Sequence, residues 1–81
     1  MMAKPGPEAR LTDKELMEEV VLHPDPAVTV ADIERQTDYS RQALNLRFDA
    51  LVESGYLHEK KVGARATVYW PADEGREIAQ R

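Results

Sequence analysis

The sequence predicts an α+β fold with a three-helix core, a two-stranded β-hairpin and a short C-terminal helix. The strongest signal is a helix predicted over residues 40–54, whose apolar residues recur at helical spacing. A shorter helix precedes it across about three residues, which is the spacing of a helix-turn-helix unit. Residues 56–70 then contain two extended runs around a glycine-containing turn, and this pattern predicts the hairpin.

The composition is that of one small domain of 81 residues without cysteine. A chain without cysteine has no disulfide framework and no thiolate metal site, which fits a reducing compartment. Residues 1–10 lack the apolar core of a signal peptide, and no apolar run approaches the roughly 20 residues of a membrane span. We therefore expect a soluble cytoplasmic protein with no membrane association. Proline and glycine in residues 1–10 predict a disordered tail, followed by a domain over residues 11–81.

The charge is distributed unevenly along the chain. The formal net charge is −4, which by itself argues against nucleic-acid binding. Residues 1–38 have four basic and nine acidic side chains, whereas residues 39–69 have five basic and three acidic side chains. The basic excess of this second segment is small, so we expect weak non-specific affinity for DNA.

The first helix is predicted from its N-cap. Thr12 and Glu15 form a T-D-K-E capping box, in which each side chain can bond the backbone of the other residue. The segment His23–Pro26 ends the helix, because proline cannot continue one. Its predicted apolar face consists of Leu16, Val20, Val21 and Leu22.

The second helix, Val30–Gln36, is predicted to start at the N-cap Thr29 and to be anchored in the core by Ile33. Before it, Ala27–Val28 is a short extended piece that could form one rung of a small sheet. After it, Thr37–Tyr39 forms the turn into the third helix.

The third helix begins at Ser40, whose hydroxyl can accept a free N–H of the first turn. Gly55 lies where a left-handed residue would end the helix. The apolar face consists of Leu44, Phe48, Leu51 and Val52.

The hairpin strands are predicted at Tyr56–Val62 and Ala66–Trp70, joined by a turn at Gly63–Arg65. The last helix is expected over residues 72–80, with Pro71 at its first position. A glycine in the middle of that helix weakens it.

The order of these elements resembles the winged helix-turn-helix family over roughly residues 11–80. The clearest local match is F-D-A-L-V-E-S-G-Y-L, Phe48–Leu57, which is similar to the junction between recognition helix and first wing strand in these regulators. The S-R-Q start of the third helix and the A-D-E-G-R-E-I-A end resemble small archaeal regulators of the phage-repressor-like and MarR-like kind. Pro71-Ala72 stands where the family often has Leu-Thr, and Leu46 stands where it often has a basic residue. The resemblance implies that the third helix enters the major groove, that the wing touches backbone or minor groove, and that the protein is a repressor.

The polar face of the third helix contains the base-reading candidates. Arginine can pair with guanine O6 and N7, glutamine or asparagine can pair with adenine, and small apolar side chains can contact thymine methyls. The alternative is an ordinary solvated face, on which Leu46 would be a dimer contact or a lone exposed leucine. The candidates are Arg41, Gln42, Ala43, Asn45 and Leu46.

A second set of residues is predicted to contact the DNA backbone. Each has an alternative: lysines on an edge strand prevent aggregation, Arg47 could pair with glutamates of the first helix, and Thr29 is explained as a cap. The predicted backbone contacts are Thr29, Ser40, Arg47, Lys60, Lys61 and Arg65.

We expect neither catalysis nor a cofactor. His23 and His58 have no partner at metal-ligand spacing, so no metal site is predicted, and the chain contains no recognisable nucleophile–base pair or phosphate-binding glycine loop. Tyr69 and Trp70 are adjacent in a strand and point to opposite faces, so one of them needs a cover. This suggests a homodimer through the first and last helices together with Trp70.

The sequence therefore predicts a sequence-specific binder of double-stranded DNA that acts as a small transcriptional repressor by occlusion. The alternative is a winged-helix module for protein–protein interaction with little DNA affinity, which the acidic first half supports. A structured-RNA binder is a weaker third hypothesis. A continuous positive surface across Arg41, Lys60, Lys61 and Arg65 would favour DNA, whereas an exposed apolar patch around Leu46 and Trp70 would favour a protein partner.

Overall fold

The computed structural model describes residues 12–64 and 66–81. The predicted tail over residues 1–10 and the wing residue Arg65 lie outside the described residues. The order of elements is the predicted one: α1 (Asp13–Leu22), α2 (Val30–Gln36), α3 (Arg41–Glu53), β1 (Leu57–Val62), β2 (Ala66–Pro71) and α4 (Asp73–Gln80). None of the helices within residues 12–64 and 66–81 has the length and hydropathy of a membrane span.

Side-chain caps begin the first three helices, as predicted. Both halves of the Thr12–Glu15 capping box are present at α1. Thr29 and Asp32 form a second capping box at α2. At α3, the Ser40 hydroxyl accepts the backbone N–H of Ala43 at 3.1 Å. These bonds satisfy backbone donors that a helix start otherwise leaves free.

One hydrophobic core joins the helices to the base of the hairpin. The predicted face of α3 is correct, and Ile33 is fully buried as expected. The prediction for α1 was partly wrong: Leu22 is 80% exposed, whereas Met17, absent from the predicted face, is fully buried. The helix ends at Leu22, on the side of α1 away from the Leu16–Val20 stripe. The largest fully buried side chains are Phe48, Leu16, Met17, Ile33, Leu44, Leu51 and Val28.

The hairpin is an antiparallel pair whose register runs from Leu57 opposite Pro71 to Val62 opposite Ala66. Gly63, with a φ of 74°, begins the turn in the left-handed region that glycine tolerates. The short extended piece at Val28 pairs with β2 as predicted, because Val28 exchanges two backbone hydrogen bonds of 2.8 Å with Tyr69. The wing is therefore tied to the segment that precedes α2.

The start of α4 differs from the prediction. Pro71 is the last residue of β2 rather than the first of the helix, and Ala72 is an N-cap without a side-chain hydrogen bond. A strand end tolerates proline because its missing N–H is not needed there. The N–H of Ala72 instead donates to the carbonyl of Tyr56 at 2.9 Å. This bond attaches the start of α4 to the segment between α3 and β1.

Candidate nucleic-acid interface

The outer face of α3 points away from the hydrophobic core of the described residues. Arg41, Gln42 and Asn45 are exposed, and Leu46 is 68% exposed. Ala43 differs from the other base-reading candidates, because it is only half-exposed beside the N-cap. The structure thus brings four of the five predicted base-reading side chains to one accessible face of one helix.

Arg41 has a partner that the sequence analysis missed. Its Nε and Nη2 both donate to Oε1 of Glu34 in α2, at 3.0 and 2.9 Å. The Arg41 side chain nevertheless remains 60% exposed. The two residues are seven positions apart across the turn between the helices. The sequence could have indicated this pair, because Glu34 is an acidic residue in α2 shortly before the turn and Arg41 is a basic residue directly after it.

A shallow groove of about 370 Å³ lies between α2, α3 and the wing. Three predicted site residues, Thr29, Arg41 and Asn45, line it together. The sequence analysis missed the wing side of this groove, which Thr67 forms with Ala66 and Tyr69. The sequence could have indicated Thr67, because it is a polar residue in the second strand, across the predicted turn from Lys61. The groove combines hydrogen-bonding side chains from three separate elements.

Tyr69 fixes the wing against α3. Its ring meets Phe48 edge-on, with ring centroids 4.8 Å apart and planes at 90°. This is a favourable geometry for two aromatic rings, and it is reinforced by the backbone bonds of Tyr69 to Val28. Burial raises the pKa of the Tyr69 hydroxyl, and the charges of Glu59 and Asp49 raise it further. The ring contact with Phe48 and the backbone bonds to Val28 thus position β2 beside α3.

The two wing lysines are exposed but lie on opposite faces of the hairpin, because side chains alternate along a strand. Lys61 pairs with Thr67 and shares the face of Tyr69, whereas Lys60 pairs with Val68 and shares the face of Trp70. The continuous positive surface that would have joined both lysines to Arg41 is therefore interrupted. Lys61 is the wing lysine on the side of the groove.

Three other predicted backbone contacts already have intramolecular roles. Ser40 caps α3, and Arg47 donates from Nη2 to Oδ1 of Asp13 at 3.0 Å, so its partner on α1 is an aspartate rather than a glutamate. Thr29 accepts the N–H of Asp32 at 3.1 Å, and Asp32 accepts the N–H of Thr29 at 2.9 Å.

The Asp32 carboxylate places a negative charge at the start of α2. Its hydrogen bond from the Thr29 backbone holds its pKa below the usual value despite partial burial, and the Thr29 hydroxyl and the Arg35 charge add to this effect. An ionised carboxylate already occupies the place where a phosphate would meet the N-terminus of this helix. A phosphate contact by Thr29 stays a prediction.

Acidic side chains surround the other end of α3. Asp49 and Glu53 from α3 and Glu59 from β1 line a shallow hollow of about 510 Å³. The outer surface of α3 is therefore polarised, with Arg41 at its start and carboxylates toward its end. A polyanion would be repelled from the second half of the helix.

One group of side chains has the composition of a metal site. His23, Asp25 and Asp32 present ligand atoms within 4.8 Å of one another, whereas the sequence analysis found no partner for His23 at metal-ligand spacing. The H-x-D spacing of the first two was the available signal. Their atoms are partly engaged, because Nδ1 of His23 accepts the N–H of Asp25 and Oδ1 of Asp32 accepts from Arg35 at 2.7 Å.

Trp70 is half-buried at the open end of the hairpin. The imidazole of His58 lies across the hairpin from it, with ring centroids 5.6 Å apart and planes tilted by 39°. His58 is therefore a neighbour of Trp70 on the same hairpin, and coverage of Trp70 by a second protomer stays a prediction.

The arrangement is similar to that of a known regulator structure. The adhesin competence repressor AdcR from Streptococcus pyogenes superposes with a TM-score of 0.72 at 20% sequence identity. The match covers 88% of this chain and 54% of that chain, so this chain spans about half the length of AdcR. No protein-family model matches the chain, and comparison with curated proteins finds no matching sequence. The likeness confirms the predicted winged-helix fold.

Proposed function

We propose that this winged-helix domain binds double-stranded DNA in a sequence-specific manner and acts as a small transcriptional regulator. The observation that carries the proposal is the exposed outer face of α3, where Arg41, Gln42, Asn45 and Leu46 lie outside the hydrophobic core. Such a helix fits the major groove, where these side-chain types can contact base edges. The fold of AdcR, named a repressor, supports the regulatory role.

The charge polarity of α3 sets its orientation in this proposal. Arg41, Gln42 and Asn45 belong to the first half of the helix, and Asp49 and Glu53 belong to the second half. Phosphate oxygens would repel the carboxylates, so the first half enters the groove and the second half points away from the duplex. In helix-turn-helix proteins the N-terminal residues of the recognition helix likewise contact the bases.

The wing supplies the principal backbone contact. Lys61 lies on the groove side of the hairpin, and we assign the phosphate contact to it. The second assigned contact is Arg65, which the sequence predicts and which lies outside the described residues. Lys60, on the opposite face, contributes through charge alone. Ser40, Arg47 and Thr29 remain proposed secondary contacts, since each is already bonded within the protein.

Repression would follow from occlusion, because a bound protein blocks access of polymerase or other factors to the same DNA. We also propose homodimerisation through α1, α4 and Trp70, a cytoplasmic location and a role without catalysis. A two-fold dimer would recognise two half-sites about one helical turn apart, roughly 34–36 Å.

The proposal is tested by selecting bound sequences from a pool of random-core duplexes and measuring their affinity by fluorescence anisotropy. We expect wild type to enrich a sequence and the double variant Arg41→Ala with Asn45→Ala to lose roughly tenfold or more of its discrimination. An inverted repeat in the selected sequences would indicate a dimer, and a single site a monomer. The matched control is Ser54→Ala, at an exposed position directly after α3. Absence of binding to any duplex at low salt would refute the proposal.

A protein-interaction module is the second candidate function, and a specific observation favours it. Leu22 and Leu46 are 80% and 68% exposed, and the chain has a net charge of −4. Large exposed apolar side chains contribute to protein interfaces. If the selection recovers no duplex, this function becomes the leading hypothesis.

A further inference from the structure

The contact between Glu34 and Arg41 joins the two helices of the helix-turn-helix unit at the edge of the groove. One carboxylate oxygen accepts both Nε–H and an Nη2–H, so Glu34 occupies one edge of the planar guanidinium. Arginine has five N–H donors, and in the described part of the chain this contact uses two of them. Both Nη1–H groups and the second Nη2–H form the far end of the guanidinium.

The N–H groups at that far end are the ones that can donate to guanine. A bidentate contact to O6 and N7 uses two parallel N–H groups, and Nη1 and Nη2 supply such a pair. The ion pair therefore leaves the base-reading donors of Arg41 available while it restricts the rotation of the side chain. A long side chain that is already ordered loses less conformational freedom when it binds.

We propose that Glu34 is a specificity-determining residue of the DNA interface, which acts by positioning the guanidinium of Arg41. This inference rests on the proposed function. Glu34 has two opposing effects: its negative charge weakens binding to every duplex, and its contact with Arg41 strengthens binding to duplexes with a guanine at one position. The net result is greater discrimination at lower overall affinity.

The test compares wild type, Glu34→Ala, Arg41→Ala and the double variant on the selected duplex, with each guanine replaced in turn by 7-deazaguanine. This base lacks the N7 acceptor. We expect wild type to lose roughly tenfold in affinity at one guanine, Glu34→Ala to lose roughly threefold or less there, and both Arg41→Ala variants to show no loss. Glu34→Ala should also bind unrelated duplexes more tightly at low salt. Glu53→Ala is the control, because it removes an equal charge from an exposed position at the other end of α3.

A second readout follows the Arg41 Nε–H resonance in the free protein by NMR. We expect a rigid side chain in wild type and in Glu53→Ala, and a mobile one in Glu34→Ala. The inference is overturned if Glu34→Ala keeps the full 7-deazaguanine penalty, or if wild type selects a sequence without any N7-sensitive guanine. In both of these cases the proposed function survives. If wild type has no sequence preference, the proposed function and this inference both fail, and the wild-type measurements alone are enough to show that failure.

Discussion

At the scale of single residues, polar side chains around the proposed interface are held by partners within the protein. Arg41 is bonded to Glu34, Arg47 to Asp13, and Thr29 to the Asp32 backbone. An exposed ion pair such as Arg41–Glu34 contributes only about 0–1 kcal/mol to stability, so its main effect is on side-chain orientation. Gln42 and Asn45 are exposed on the same helix face as Arg41.

Asp32→Asn is predicted to lower stability in a pH-dependent way. The carboxylate is ionised in both the folded and unfolded states above its ordinary pKa of 3.8, and it stabilises the folded state through its bonds at the start of α2. Because its pKa is lower in the folded state, that stabilisation is lost as the pH falls from 3.8 through the folded-state value. We expect a loss of about 0.5–1 kcal/mol at pH 7, the size of a helix cap, and a smaller difference at acid pH.

Urea unfolding at pH 7 and across the acid range measures this difference. Asp25→Asn is the control, since it removes an equal charge from an exposed position outside the helix and should change the free energy of unfolding by less than about 0.5 kcal/mol. A difference between wild type and Asp32→Asn that stays constant into the acid range would contradict the assigned role of the charge.

At the scale of secondary-structure elements, the two faces of the hairpin carry different side chains. The face with Lys61 and Thr67 includes Tyr69, which packs on Phe48 of α3. The face with Lys60 includes Trp70 and lies on the other side of the sheet. Because the strands are pinned to Val28 and Phe48, the two lysines keep these different positions relative to α3.

Lys61→Ala and Lys60→Ala form a matched pair that tests this asymmetry. Each removes one lysine charge from neighbouring positions of β1, but only Lys61 lies on the groove side. We expect Lys61→Ala to weaken DNA binding and to lower the slope of log affinity against log salt by about 1, with a smaller change for Lys60→Ala. Anisotropy titrations on the selected duplex at several salt concentrations measure both. Equal effects of the two substitutions would mean that the wing acts only through its charge.

At the scale of the whole molecule, α4 packs on α1 and on the base of the hairpin through a glycine. A Cβ at Gly75 would lie 2.1 Å from the carbonyl oxygen of Tyr56 and 2.7 Å from Cε of Met17. Both distances are shorter than a van der Waals contact, and the nearest atom, the carbonyl oxygen of Tyr56, belongs to the backbone. The glycine that weakens the helix by intrinsic propensity therefore permits the close approach that completes the core.

Gly75→Ala is predicted to destabilise the protein, although helix propensity alone predicts a gain of about 1 kcal/mol. The steric overlap with Tyr56 forces a shift of the backbone, and overpacking of this kind costs about 1–3 kcal/mol. Thermal or urea unfolding measures the net effect, which we expect to be a loss. Glu77→Ala, an exposed substitution in the same helix, should stay within about 0.5 kcal/mol of wild type. A more stable Gly75→Ala variant would show that α4 is not packed as described.

The sequence by itself determined the order of the elements, the caps at Thr12, Thr29 and Ser40, the left-handed Gly55 and the buried face of α3. Each of these depends on residues within a few positions of one another, because caps, turns and helical periodicity are local properties. The exposed side-chain set of the proposed interface follows directly from that periodicity.

Only the tertiary structure decided which of these side chains act together. The pairing of Arg47 with Asp13 spans 34 positions, and the exposure of Leu22, the strand position of Pro71 and the role of Gly75 all depend on neighbours from other elements. The groove that joins Thr29, Arg41 and Thr67 exists because packing of Tyr69 on Phe48 brings the wing beside α3. Contacts between distant segments depend on how the elements pack, so a local sequence pattern does not predict them.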